Sequence, residues 1–197
     1  MGTVSHFTTR ALAATAAAVG VSATLAVVAP DIALAAPQDC NYMGYNSAPD
    51  RLGLKFDSAE RSLFNMINTY RSQNGRAVLK ESVDLARPAM WASLDDARRG
   101  IAPPDHIDSR GMGPAARAKF CGNYTGARIG EINYWGWGGG PLNNDGGKPE
   151  AAFKWWQNSK PHNALMLSPD FTTMSVARAY LGVNAEKAFW TVDFGLS

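Results

Sequence analysis

Histidine is scarce in this chain, with only His6, His106 and His162, so any imidazole chemistry must come from very few positions. Cysteine is scarcer still: Cys40 and Cys121 are the whole supply, enough for one bridge and too few for a disulfide framework or a four-thiolate metal site. Formal charge nearly balances, at +2, which gives no electrostatic reason to expect a nucleic-acid partner. Beyond residue 35 no apolar run is long enough to span a bilayer. An H-E-x-x-H helix and a G-x-S-x-G elbow are both missing, which removes the usual sequence marks of a zinc peptidase and of an α/β-hydrolase. No internal repeat is present.

What is present begins with a leader. Arg10 precedes an uncharged Ala-rich run from Ala11 to Ala29, and Ala33-Leu34-Ala35 supplies the small-residue cleavage pattern. Residues 1–35 therefore read as a signal peptide, the new N-terminus falls at Ala36, and the expected location is extracellular. An uncleaved anchor is the alternative reading of the same run. Removing the leader leaves about 160 residues, the size of one domain with a substantial core. Residues 36–56 read as an extended N-terminal segment and 57–197 as the domain. In an oxidising compartment Cys40 and Cys121 are expected to be bridged, worth roughly 4–5 kcal/mol by loop closure. Two separate buried thiols are the other possibility.

Asp57-Ser58-Ala59-Glu60 has the form of a capping box, with Ala59, Leu63, Ile67 and Tyr70 following at helical spacing up to Asn74-Gly75. Ser82 and Asp84 open a second helix with Ala86, Met90, Leu94 and Ala97, closed by Gly100. Pro88 requires that helix either to start nearer to it or to bend. Pro114 to Cys121 suits a short third helix, and 122–135 turns extended. Gly136 to Gly147 reads as a mobile loop. Pro149-Glu150 opens a helix with Ala152, Phe153 and Trp156 on one face, ending before Pro161. Phe171–Leu181 and Ala188–Phe194 read as a terminal hairpin turning through 182–187. Together these predict an α/β domain, helices packed on both faces of a small sheet.

His106 and His162 both sit in loop-like contexts, Pro104-Asp105-His106-Ile107-Asp108 and Lys160-Pro161-His162-Asn163, where a polar side chain is more often functional than in a core stripe. The order of motifs around them resembles the CAP superfamily of cysteine-rich secretory, antigen 5 and pathogenesis-related 1 proteins, in its bacterial secreted branch. Asn68-Thr69-Tyr70-Arg71 followed by Gly75 is similar to the end of that family's first helix. His106 after a helix, Gly130-Glu131, Trp156-Gln157-Asn158-Ser159-Lys160-Pro161-His162 and Trp190-Thr191-Val192-Asp193-Phe194-Gly195 follow in the family's order. The resemblance runs from about residue 57 to 195. Ile132 standing between Glu131 and Asn133, Pro161, Ser175 and Ala177 depart from its pattern.

The resemblance implies a three-layer α-β-α sandwich around a small, mainly antiparallel sheet. It also implies a cavity surrounded by His106, Glu131 and His162, with Asp108 as candidate fourth member unless it caps the turn before Gly111. Two imidazoles and a carboxylate suit an open Zn²⁺ site or another divalent ion, with His106 and His162 as ligands, and equally a water-filled hydrogen-bonded cluster. The leading expectation is an extracellular binding protein for a lipid, a sterol-like molecule or a cell-surface component, with Tyr134, Trp135 and Trp137 lining the groove or folding back as a lid. A hydrolase using Glu131, His106 and His162, with Ser159 as a conceivable nucleophile, is the first alternative. A protein-interaction module using the Gly136–Gly147 segment is the second.

Overall fold

The computed structural model describes residues 56–122, 124–137, 145–181 and 187–196. The leader, most of the N-terminal segment including Cys40, the 138–144 part of the expected mobile loop and the hairpin turn at 182–186 lie outside them. The described residues belong to one compact unit.

Helix α1, Ser58–Gln73, starts where the sequence places it: the Asp57 carboxylate accepts from the Glu60 amide and the Glu60 side chain accepts from the Asp57 amide, each at 2.8 Å. This reciprocal pair satisfies two of the backbone donors that a helix start leaves open. Strand β1, Lys80–Glu81, is too short to be read from periodicity and was not foreseen. Helix α2, Val83–Arg99, is capped by the Ser82 hydroxyl and closed by Gly100 in the left-handed conformation that lacks a Cβ penalty. It does not start nearer Pro88; the proline lies within the helix. Every residue from Trp91 to Ala97 is buried, because the sheet covers one side of α2 and helix α3, Pro114–Gly122, covers another.

Strand β2, Arg128–Trp137, continues through Gly136 rather than ending before it. The carbonyl of Gly146, in a short helical turn at Asp145–Gly147, sits where a Cβ on residue 136 would have to go. Glycine here therefore lets that turn close onto the strand. Helix α4, Pro149–Asn158, is followed almost at once by an unforeseen helix α5, Lys160–Met166. Helix α4 ends before Pro161 as expected, and the proline stands in the first turn of the next helix, where its missing N–H costs nothing. Strands β3, Thr173–Leu181, and β4, Lys187–Leu196, form the expected antiparallel pair.

The sheet order is β1-β3-β4-β2, antiparallel except for the β1–β3 edge, with α1, α4 and α5 on one face and α2 and α3 on the other. This is the α-β-α sandwich the motifs implied. The period-two alternation of β4 sorts the two faces chemically. Ala188, Trp190, Val192 and Phe194 pack with Leu63, Ile67, Ile132 and Trp156 into the main apolar core. Phe189, Thr191 and Asp193 face α2 and α3, where the buried neighbours include Ser93, Asp96, Arg117, Glu131, Asn133 and Ser175. One face of the sheet is held by hydrophobic burial, the other by a polar network.

β2 is an edge strand. The segment after α2 reaches it from one face and the α4–α5 junction from the other, and the site lies between them.

Candidate functional site

Two segments bring the histidines to the β2 edge. His106 has a left-handed backbone, φ 59°, the only non-glycine with positive φ among the described residues. Such a conformation costs a histidine on the order of 1 kcal/mol and persists where surrounding contacts impose it. Those contacts are the Arg117 guanidinium donating to the His106 carbonyl at 3.0 Å and the imidazole Nδ1 meeting Glu131 Oε1 at 2.8 Å. His162 lies in the first turn of α5 rather than in a loop, packed against Trp155 of α4 with ring centroids 4.8 Å apart and planes tilted by 54°. Its Nδ1 meets the Ser159 hydroxyl at 2.6 Å. Ser159 joins the two helices without capping either through its side chain.

Both imidazoles thus use Nδ1 on a side-chain oxygen and leave Nε2 without a side-chain partner among the described residues. They share the lining of a cavity of about 400 Å³ with Asn133, Tyr134, Trp135, Trp155 and the Ala102–Pro104 segment. Burial, and then the nearby His106, push His162 below the ordinary histidine range, favouring a neutral ring.

Glu131 belongs to the wall behind this cavity. Burial alone would push its carboxyl up, but hydrogen bonds from His106 and Arg117 and the Arg117 charge hold it below the usual carboxylate range. It is therefore ionised, and the proton between it and His106 resides on Nδ1. Its second oxygen accepts from Arg117 at 2.5 Å. Directly across the sheet from Glu131 stands Asp193, fully buried. Two ionised carboxylates in facing positions repel, and burial followed by the Glu131 charge raises Asp193 well above its ordinary value. Asp96 on α2 is pushed up to about 8 by burial, then by Glu131 and Asp95, and accepts from Asn133 Nδ2 at 3.1 Å. Arg117, deeply buried, is the cation that makes this cluster tolerable.

Several expected members stand elsewhere. Asp108 is not on the cavity wall: it accepts from Trp91 Nε1 at 2.7 Å and from the amides of Arg110 and Met112, organising the turn that carries Gly111. Trp137 is exposed and lies against Lys187, away from the lining, whereas Tyr134 and Trp135 belong to it. Cys121 is buried and no free thiol occurs among the described residues; Cys40 lies outside them. Asp96, Arg117, Asn133, Asp193 and Trp155 were not singled out from the sequence. An acidic pair, Asp95-Asp96, inside an apolar helical stretch and an aspartate at an inward strand position were the available signals.

The expected ion can be tested against these donors. Glu131 does not fit as a third ligand, because both oxygens are already engaged, and among the described residues no three His, Cys, Asp or Glu side chains converge as a ligand group. The arrangement fits only a pair of imidazole nitrogens, with Glu131 as the carboxylate orienting one of them.

A family model, the cysteine-rich secretory protein (CAP) family, matches residues 64–194. The chain belongs to the CAP family. A comparison with curated proteins finds no match. Among solved structures, an extracellular protein containing an SCP domain from Bacillus anthracis superposes with a TM-score of 0.58 at 18% identity, covering 78% of this chain and 45% of that one. This chain therefore spans less than half of that protein. An outer surface protein from Borrelia burgdorferi gives 0.57 at 18% identity, with 73% and 98% coverage. At these identities the likeness is one of fold. A CAP-family chain with an α-β-α sandwich is thus established; the use of its cavity is a matter for its own residues.

Proposed function

We propose that this CAP protein is an exported binding protein that takes its ligand at the β2 edge and catalyses no reaction on it. One observation carries the reading: the cavity is lined by the polar side chains of His106, Asn133, Tyr134 and His162, set beside the partly exposed indoles of Trp135 and Trp155, with no Asp, Glu, Lys or Arg in its lining. Such a lining suits a neutral molecule with apolar surface. The lining holds no Lys or Arg for a fatty-acid carboxylate, so within the lipid, sterol-like and surface ligands expected of the fold the neutral ones are favoured. Export rests on the leader and its Ala33-Leu34-Ala35 pattern.

A divalent ion, if taken up, would be held by His106 and His162 alone and would polarise a bound water or ligand oxygen. The hydrolase alternative draws support from the 2.6 Å contact between Ser159 and His162. Against it, the acid that would orient the base is paired with the other histidine, and Glu131 is held ionised by Arg117, unsuited to proton donation.

The test is a thermal-shift panel of neutral amphiphiles on the mature protein beside a His106→Ala/His162→Ala variant. Ligands that stabilise the parent should lose their effect in the variant. Equal stabilisation of both proteins would remove the cavity from the account.

A further inference from the structure

We infer that the ligand is a neutral saccharide, an oligomer of hexopyranose units whose flat C–H faces pack on Trp135 and Trp155 while its hydroxyls meet His106 and His162. This rests on the cavity being the ligand site and narrows what enters it.

Tryptophan is ordinarily well covered, yet Trp135 is 39% and Trp155 48% exposed at a cavity whose remaining lining combines the polar His106, Asn133, Tyr134 and His162 with the apolar Ala102–Pro104 segment. They come from different elements, β2 and α4, so their joint position at one cavity follows from the tertiary fold and not from local sequence. Trp155 is held by packing against His162 and Tyr134, with centroids at 4.8 and 5.7 Å. Trp135 is backed by Phe189 at 6.4 Å and by the Lys187 ammonium at 4.4 Å from its centroid. Rigid, supported indoles present area at low entropic cost.

The polar groups are of the kind hydroxyls require. His106 has its Nδ1 held on Glu131, which leaves Nε2 as the ring nitrogen for a ligand hydroxyl. The second ring, His162, adds its own Nε2. The Asn133 amide nitrogen is fixed by Asp96, and its Oδ1 is buried behind the wall, so Asn133 shapes the cavity while the two imidazoles face the ligand. A sterol carries one hydroxyl on a long apolar body and would leave most of these groups unpaired, a cost of about 1–3 kcal/mol for each buried one. A phosphate or carboxylate head would meet no Lys or Arg in the lining. A saccharide matches both halves: alternating apolar faces and closely spaced neutral donors and acceptors. The volume of about 400 Å³ accommodates a small number of sugar rings.

The experiment titrates cellotetraose, chitotetraose and, separately, cholesterol in detergent into the mature protein, following tryptophan fluorescence and calorimetric heat. The variants are Trp155→Ala, Trp135→Ala, Trp155→Phe, Trp137→Ala and His106→Ala/His162→Ala, each checked for an unchanged circular dichroism spectrum. At least one tetrasaccharide should bind, weaken about tenfold or more in either cavity alanine variant, retain most affinity in Trp155→Phe, and be unaffected by Trp137→Ala. Saccharide binding that survives both cavity alanine variants overturns the inference. Cholesterol binding that is lost in the double-histidine variant, with no saccharide binding, also overturns it and leaves the cavity as the site of another ligand. Absence of all binding overturns the inference and the functional reading together.

Discussion

Replacing Asp96 with asparagine should change stability by an amount that grows with pH. Asp96 is buried on α2, accepts from Asn133 Nδ2 at 3.1 Å, and is pushed up to about 8, first by burial and then by Glu131 and Asp95. In the unfolded chain an aspartate ionises near about 4. Between those two pH values the folded protein keeps a proton that the unfolded chain has released, so the parent loses stability as pH rises. The full slope is one proton, about a tenfold change in the unfolding constant per pH unit. Asparagine cannot titrate and preserves an acceptor for Asn133. From about pH 5 to about pH 7 the variant should therefore gain on the parent by roughly a hundredfold, on the order of 3 kcal/mol. Asp193 and His162 titrate in both proteins and cancel from the difference. Urea unfolding followed by tryptophan fluorescence at several pH values gives that difference directly. A difference independent of pH would mean that Asp96 is ionised in the native state, and the picture of a proton-holding network behind the cavity would be wrong.

Arg117→Met removes the cation that Glu131 and Asp193 share and should cost about 3–5 kcal/mol, lowering Tm by roughly 10 °C; a loss below about 1 kcal/mol would show that these carboxyls do not depend on it. Zinc should bind at micromolar affinity or weaker and not at all to the His106→Ala/His162→Ala variant; nanomolar binding would require ligands beyond these imidazoles. The bridge proposed between Cys40 and Cys121 should appear as a mass gain of two hydrogens on reduction, together with a lower Tm. An unchanged mass would leave two thiols.

The parts of this fold that were legible from sequence are those governed by local chemistry. The capping box at Asp57–Glu60, the Ser82 cap and Gly100 fix helix ends through contacts a few residues apart, and the β-branched and aromatic runs of β3 and β4 mark strands by composition. Pro161 correctly marked where α4 must stop but did not announce α5, because the same residue that forbids continuing one helix favours starting the next. Strand β1 has only two residues and exists through pairing with Thr173 and Met174, which no local pattern announces. At the site, the motifs pointed to His106, Glu131 and His162, but not to the division of labour between them. Glu131 stands behind His106 because Arg117, distant in fold logic though only part of a short Ala-rich helix in sequence, takes its other oxygen. Trp155 was overlooked because on α4 it is the residue beside the buried Trp156, and its value lies in being left outside the core.

The most direct test labels the protein with 5-fluorotryptophan and follows the resonances of its six tryptophans as cellotetraose, chitotetraose and cholesterol are added in turn. The account predicts that a ligand moves the Trp135 and Trp155 signals together while the buried Trp91 and Trp190 stay in place, and that the movement disappears in the His106→Ala/His162→Ala variant. A ligand that shifts other tryptophans and leaves these two unmoved would contradict the claim that the β2-edge cavity is the binding site.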